Sequence, residues 1–317
     1  MICLCCGKPI KSPQKANNGW HHACIKRFFG TKELPELNLS ADTIESIANE
    51  CTRRGFTVPG VQKKLSLHLS SEKNDKVRLT LVGYPAGYIL KPQTADYPAL
   101  PEAEYLVMQM AKATGIKTVP FALIRLSETD EFAYITKRID RTASGEKIAM
   151  EDFCQLDLRV TADKYKGSYE RCGKIVKEYA ENPGLDMTEL FLRIVFSFAV
   201  GNSDMHLKNF SLIETAPGNG VYRLSEAYDM LPVNIILPAD KDQMALTLNG
   251  KNRNLRRSDF LALAENCGLN RKSAEKMLDG IVAMKDAYLA LCQDSFLPEN
   301  YREALCTLID TRIRALQ

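Results

Sequence analysis

Three side chains in this 317-residue chain have the types and spacing for metal-assisted phosphoryl transfer. Asp204 is followed five positions later by Asn209, with His206 and Lys208 between them, in VGNSDMHLKNFSL at 200–212. Asp229 comes about twenty positions on, in AYDML. Hard cations such as Mg2+ take oxygen ligands, anionic or neutral, and Asp229 and Asn209 offer one of each. Asp204 can accept or orient the proton of an attacking hydroxyl. His206 and Lys208 can touch phosphate or substrate, although His206 could equally brace the loop. Asp and Asn are also common in loops because they hydrogen-bond to backbone. The spacing therefore gains meaning only from the elements around it.

A nucleotide site also needs backbone or cationic groups for the phosphates and an oriented acceptor hydroxyl. The stretch GFTVPGVQKKLSLHLS carries two glycines and a Pro ahead of an alternating strand, Leu65, Leu67, Leu69. Backbone N–H groups of such a loop can face phosphate, which makes Thr57, Gly60, Val61 and Gln62 candidate nucleotide contacts. RLTLVG and GYILKPQ read as a hairpin that ends on Lys91, a point charge for phosphate. A helix is expected from about Pro101 to Thr114, with Pro at a first helical position and Glu104 in the first turn. A strand Lys paired with a helix Glu is how protein kinases orient their phosphate-binding Lys, with Glu102 as the other possible partner here. VPFALIRL and EFAYITKRIDR read as an antiparallel pair. Residues 134–139 form the expected hinge, where backbone can bind adenine and Lys137 and Arg138 are candidate contacts.

From about residue 149 the pattern turns helical. MEDFCQLDL is a short amphipathic piece, SYERCGKIVKEYA and MTELFLRIVFSFAV are longer, and the last is apolar at nearly every position from Leu190 to Val200. That pattern predicts a core helix leading into the Asp204 loop. The basic, aromatic TADKYKGSYE could serve as a substrate or activation surface, but a solvated loop is the plainer reading. QMALTLNGKN predicts a strand with an Asn-Gly turn, and three amphipathic helices are expected from about residue 257. Between the N-terminal segment and the glycine-containing loop, Asp42 and Glu45 have capping-box spacing for a short helix.

Four of the ten Cys lie near the start. Cys3 and Cys6 make a C-x2-C pair, and His21 and Cys24 an H-x2-C pair. Two such turns offer a tetrahedral soft-ligand set that suits Zn2+. Cys5 and His22 are rival ligands. The expectation is a structural zinc knuckle in a segment too short to have a core of its own. The remaining six Cys are scattered in apolar or helix-like surroundings and read as thiols.

The totals narrow the class. At 45% hydrophobic and 26% charged, the composition is that of a soluble globular protein. A net charge of +3 is too small for a global nucleic-acid footprint. No apolar run reaches the roughly 18 residues of a membrane span, and MICLCCGKPIK does not have the pattern of a signal peptide. A cytoplasmic protein with no membrane partner is expected.

The order of parts (glycine-containing loop, strand Lys, helix Glu, hinge, core helix, D-x4-N, strand, acid) is that of a protein kinase, whose catalytic loop has the same five-residue step. GVQKKLSL, YILKP, KRIDR, MEDFCQL, GNSDMHLKNFSL, AYDM and LNGK resemble HipA-family Ser/Thr kinases, the toxins of bacterial toxin–antitoxin systems, over roughly residues 50–310. The chain is most similar to the short HipT-type, in which a separate small protein supplies the N-terminal subdomain. The resemblance implies an α+β, two-lobed fold: a knuckle and linker at 1–35, a β-rich N-lobe at 36–140 and a helical C-lobe at 141–317. It implies ATP and Mg2+ as cofactors, Lys91 on the phosphates with Glu104 as its partner, Asp204 as the catalytic Asp, and Asn209 and Asp229 as Mg2+ ligands. The family's glycine-rich loop carries Ser residues that autophosphorylate. Here Thr57 and Pro59 stand at those positions, which leaves Thr57 as the candidate phosphoacceptor. Implied partners are an aminoacyl-tRNA synthetase as substrate, the small N-subdomain-like protein and a helix-turn-helix antitoxin, with DNA contacted only through the antitoxin. The competing readings are a pseudokinase that serves as a binding module in an antitoxin–DNA complex, and a small-molecule kinase.

Overall fold

The computed structural model describes residues 1–11, 16–37, 64–70, 78–80, 87–126, 129–142 and 144–317. The expected helix near Asp42 and the loop bearing Thr57, Pro59, Gly60, Val61 and Gln62 lie outside the described residues. The chain divides into two compact units, Met1–Tyr105 with Val119–Glu146, and Leu106–Thr118 with Lys147–Gln317.

The first unit is built on a five-stranded antiparallel sheet. Its strands are β3 (Leu65–Ser70), β4 (Arg78–Thr80), β5 (Tyr88–Pro92), β6 (Phe121–Arg125) and β7 (Phe132–Lys137), in the order β4-β3-β5-β7-β6. Alternation in β3 buries Leu65 and Leu67 while Ser66 faces out, as a strand with one buried face requires. The hairpin expected between β4 and β5 does not form. Both pair with β3, which lies between them, so the strand that follows the glycine-containing loop takes the inner position. Helix α2 (Leu100–Ala113) follows β5.

The N-terminal segment is not a free-standing knuckle. Its β1 (Ala16–Asn17), β2 (Trp20–His21) and α1 (His22–Phe29) pack on the sheet. Leu123 of edge strand β6 donates its N–H to Leu4 O at 2.9 Å, and its carbonyl accepts Trp20 Nε1 at 3.1 Å. Trp20, Phe28, Phe29 and Tyr88 form one aromatic cluster, with centroid separations of 4.8–5.9 Å. Such clusters bury large apolar area, so the segment borrows the sheet's core and covers an edge that would otherwise stand open.

The second unit is organised around α5 (Pro183–Ala199), reached after β8 (Met150–Asp152), α3 (Phe153–Leu156) and α4 (Tyr169–Tyr179). Pro183 opens α5, where its missing N–H costs nothing. All residues from Ile194 to Ala199 are buried. Arg193 is buried too, and its guanidinium reaches Glu189 at 2.9 Å and Ser225 O at 2.7 Å. After α5, β9 (Ser211–Glu214) and β10 (Tyr222–Leu224) complete a three-stranded sheet in the order β10-β9-β8, followed by the single turn α6 (Val233–Ile236).

Four helices close the unit rather than three: α7 (Arg257–Asn266), α8 (Arg271–Ala283), α9 (Lys285–Gln293) and α10 (Glu299–Leu316). The extra one arises because the helical stretch from Arg271 breaks at Met284. The strand expected in QMALTLNGKN is absent, while its turn is present, with Asn249 and Gly250 at φ 49° and 74°. Thr247 instead exchanges backbone hydrogen bonds with Gly167 and Tyr169.

Gly201 leaves α5 at φ +71°, and a Cβ there would lie 2.9 Å from both methyl groups of Leu308. Gly201→Ala combines left-handed strain with overpacking. It is expected to lower stability by about 1–3 kcal/mol, read as a lower denaturation midpoint at unchanged m-value.

Candidate active site

The Asp204 loop begins where α5 ends. Asn202 N bonds back to Ser197 O at 2.8 Å, and Gly201 O accepts Asn234 N at 3.0 Å. Beyond this turn the backbone is held largely by side chains. Asp204 O accepts Asn209 Nδ2 at 2.8 Å, Met205 O accepts Tyr169 Oη at 3.0 Å, and Lys208 O accepts Tyr228 Oη at 3.1 Å. Leu207 N donates to Lys164 O at 3.2 Å. Residues Leu207–Asn209 then form one 3-10 turn into β9.

The sequence-predicted residues fall as follows. Asp204 is half-exposed and its Oδ1 accepts the Tyr165 hydroxyl at 2.6 Å. Asn209 is buried, and because its Nδ2 is committed to Asp204 O, its carboxamide oxygen is the atom left for a cation. Asp229 sits at φ +59°, a left-handed conformation that Asp tolerates better than most residues. Its charge and that of Asp204 both oppose the lowering of the His206 pKa. The adjoining Tyr228 hydroxyl takes a hydrogen bond from Ser211 Oγ at 2.5 Å, fixing the turn that carries Asp229 against β9.

His206 is buried, and desolvation lowers its pKa below the ordinary value. Asp204 opposes that shift and Lys164 adds to it. The ring is therefore neutral at pH 7. Its Nε2 lies 3.9 Å from Asp204 Oδ2, too far for a hydrogen bond. Lys208 has a carboxylate partner within the chain. Its Nζ pairs with Asp152 Oδ2 at 2.6 Å, while Asp152 also caps α3 by accepting Gln155 N at 2.9 Å.

In the first unit, Lys91 Nζ lies 2.6 Å from Glu104 Oε1, with both side chains buried. The ammonium also stands 5.3 Å from the ring centre of Tyr134. A lysine enclosed in this way has one orientation instead of the many open to a solvated side chain. Glu102, the other possible partner, has its carboxyl pKa raised by burial. At the expected hinge, Arg138 is committed to Asp140, with Nε–Oδ1 at 2.8 Å and Nη2–Oδ2 at 2.6 Å, and Lys137 is exposed at the end of β7.

Cys3, Cys6, His21 and Cys24 place their ligand atoms within 4.8 Å of one another. His21 Nδ1 is 3.5 Å from Cys6 Sγ and 3.8 Å from Cys24 Sγ. Tetrahedral Zn2+ with Zn–S bonds of about 2.3 Å requires ligand atoms about 3.5–3.8 Å apart; the two His21 distances lie in that range, and the donor types suit the ion. Burial and then the nearby Cys5, Cys3 and Cys6 sulfurs push the Cys24 thiol up. A divalent cation bound there would displace such a proton.

A family model for the HipA-like C-terminal domain matches residues 56–288, about three-quarters of the chain. The chain belongs to the HipA-like C-terminal domain family. A protein of Haemophilus influenzae named "Putative kinase" is 27% identical over 342 aligned positions, covering 98% of this chain and 95% of its own. Among solved structures, a chain of the Shewanella oneidensis MR-1 toxin–antitoxin complex of HipA, HipB and operator DNA superposes with a TM-score of 0.66. It is 19% identical and covers 84% of this chain and 70% of its own. The Helicobacter pylori proinflammatory kinase CtkA matches with a TM-score of 0.55 at 16% identity, covering 80% of this chain and 95% of its own. At these identities the structures establish the fold: the α+β fold of HipA and CtkA, with a Cys/His cluster near the N-terminus.

Three residues at the site escaped sequence reading. Tyr165 lay in a segment that looked solvated, Asp152 in a motif with no assigned chemistry, and Arg193 in an apolar helix where a lone Arg suggests an exposed stripe. The basic and aromatic character of TADKYKGSYE was the available signal for Tyr165.

Removing Glu104 would leave Lys91 buried without its carboxylate. Glu104→Ala is expected to cost about 3–5 kcal/mol in equilibrium unfolding, and Glu104→Gln clearly less.

Proposed function

We propose that this protein is an ATP- and Mg2+-dependent Ser/Thr protein kinase and the toxin of a toxin–antitoxin pair, with an aminoacyl-tRNA synthetase as its substrate. The observation that carries the reading is the Asp204–Asn209 loop in a chain of the HipA-like family. One acid is presented to solvent, and one amide, buried within the loop, has a single atom left for a cation. Lys91, held by Glu104, supplies a cation for phosphate. Asn209 and Asp229 would hold Mg2+, which supplies charge neutralisation on the nucleotide when bound. Asp204 orients the acceptor hydroxyl and takes its proton.

The toxin role is supported by the HipA relative, which was solved with HipB and operator DNA. The partners proposed for this chain are accordingly a helix-turn-helix antitoxin that carries any DNA contact and a small N-subdomain-like protein. Among the described residues no helix is long and apolar enough to cross a membrane. Thr57 is the proposed autophosphorylation site.

γ-Labelled ATP incubated with a panel of purified synthetases tests the reading. Label on one synthetase is expected, with Asp204→Asn slower by about 10²–10⁴-fold. Equal labelling by the variant rejects Asp204 as the base, and no labelling of any synthetase rejects the substrate assignment.

The Cys3, Cys6, His21, Cys24 set is proposed to hold structural Zn2+. Protein purified without added metal is expected to contain about one equivalent, and Cys24→Ser to lose it with a lower Tm. Less than half an equivalent in the wild type rejects the site.

A further inference from the structure

The candidate base has a partner that the reading above does not use. Tyr165 Oη donates to Asp204 Oδ1 at 2.6 Å, and its ring stands edge-on to His206 with centroids 5.0 Å apart. The phenol is about half-exposed, so a chance encounter with the nearest carboxylate has to be weighed. The chain that carries it argues against chance.

Residues 157–169 form a strap that is tied down along its length. Near its start, the carboxylate of Asp157, only 2% exposed, takes both Arg159 and Arg171. Next to Tyr165, Lys164 O accepts Leu207 N of the catalytic loop at 3.2 Å. Farther on, Gly167 O accepts Thr247 Oγ1 at 3.3 Å. At the end, Tyr169 N donates to Thr247 O at 2.9 Å, while its hydroxyl reaches Met205 O, next to Asp204. Strap and loop are thus joined on both sides of Tyr165.

We propose that Tyr165 is a positioning residue for the phosphoryl acceptor: its hydroxyl holds Oδ1 of Asp204, fixes the carboxylate's rotation, and leaves Oδ2 to meet the acceptor hydroxyl. This rests on the kinase reading. The carboxylate is half-exposed, and Oδ2 is not taken by His206, whose Nε2 lies 3.9 Å away. Burial, and then the hydrogen bond to Asp204, raise the Tyr165 pKa, so the phenol stays protonated and acts only as a donor. In the step it serves, the acceptor oxygen forms a bond to the γ-phosphorus of ATP. The bond from that phosphorus to the β,γ-bridging oxygen breaks, ADP leaves with the electron pair, and the acceptor's proton passes to Oδ2. A carboxylate free to rotate would spend part of its time with neither oxygen in line, and small misplacements of a catalytic group are costly.

The test compares wild type, Tyr165→Phe and Asp204→Asn, following γ-labelled phosphate to casein and to water. Tyr165→Phe is expected to lower kcat for casein by about 10–100-fold with the KM for ATP unchanged. Hydrolysis to water should fall less, because water needs less exact alignment. Unchanged or faster casein transfer overturns the proposal, the faster rate meaning that the phenol occupies the acceptor's own place. A parallel fall in both reactions also overturns it, since that is loss of folded enzyme. A second arm does not depend on activity: the Tm shifts of Tyr165→Phe and Asp204→Asn are expected to be non-additive in the double variant. Additive shifts overturn the contact. Wild type that transfers phosphate neither to casein nor to water sinks the kinase reading, while the thermal cycle still decides the contact.

Discussion

The Asp204 loop has almost no regular secondary structure, and every buried backbone N–H and C=O in it must still find a partner. Much of the second unit answers that requirement. Asn209 serves the carbonyl of Asp204, Tyr169 that of Met205, Tyr228 that of Lys208, and Asn234 that of Gly201. These partners come from α4, from the Asp229 turn, from α6 and from the loop itself. Since each is also packed in its own element, the loop is defined by the surrounding fold more than by its own dihedral preferences. A half-exposed acid is thereby presented from a rigid base, as a site that must hold tight geometry requires.

Buried charges supply the second set of constraints. Lys91 with Glu104, and Arg193 with Glu189 and the Ser225 carbonyl, are placed where a missing partner would cost several kcal/mol; Asp157 is buried between two part-exposed arginines. Such pairs contribute little net stability over apolar packing, but they admit few alternative arrangements. Each lies where position matters: a candidate phosphate cation, the helix that delivers the Asp204 loop, and the strap that carries Tyr165. The N-terminal segment follows the same logic with metal-ligand atoms and aromatic rings, lying against the edge of the sheet through Leu4 and Trp20.

Much of the fold was legible because its elements have strong periods. β3 alternates, α5 is apolar nearly all round, and Pro101 and Glu104 mark the start of α2. The pairing partner of β5 was not legible, because nearness in sequence favours a hairpin with β4 while the register is decided by tertiary contacts. The segment near Thr247 reads as a strand by propensity, yet its backbone bonds go to Gly167 and Tyr169. At the site, acids, amides and metal-ligand spacings show in sequence because their chemistry restricts residue type. Tyr165 and Asp152 do not, since a tyrosine in a basic loop and an acid before a helix have many ordinary uses. Lys208 lies between Asp204 and Asn209, and its pairing with Asp152 was likewise not legible, since the two are far apart in sequence.

The central claim is that Asp229 and Asn209 hold a cation for a bound nucleotide. Asp229→Asn tests it cleanly, because Asn tolerates the φ of +59° at this position and the backbone should be preserved. Calorimetric titration of ATP into wild type and variant, each with and without Mg2+, is the direct measurement. Mg2+ is predicted to tighten ATP binding to the wild type by about tenfold or more, equivalent to about 1.4 kcal/mol, and to have little effect on the variant. The same Mg2+ dependence in both proteins would contradict the account.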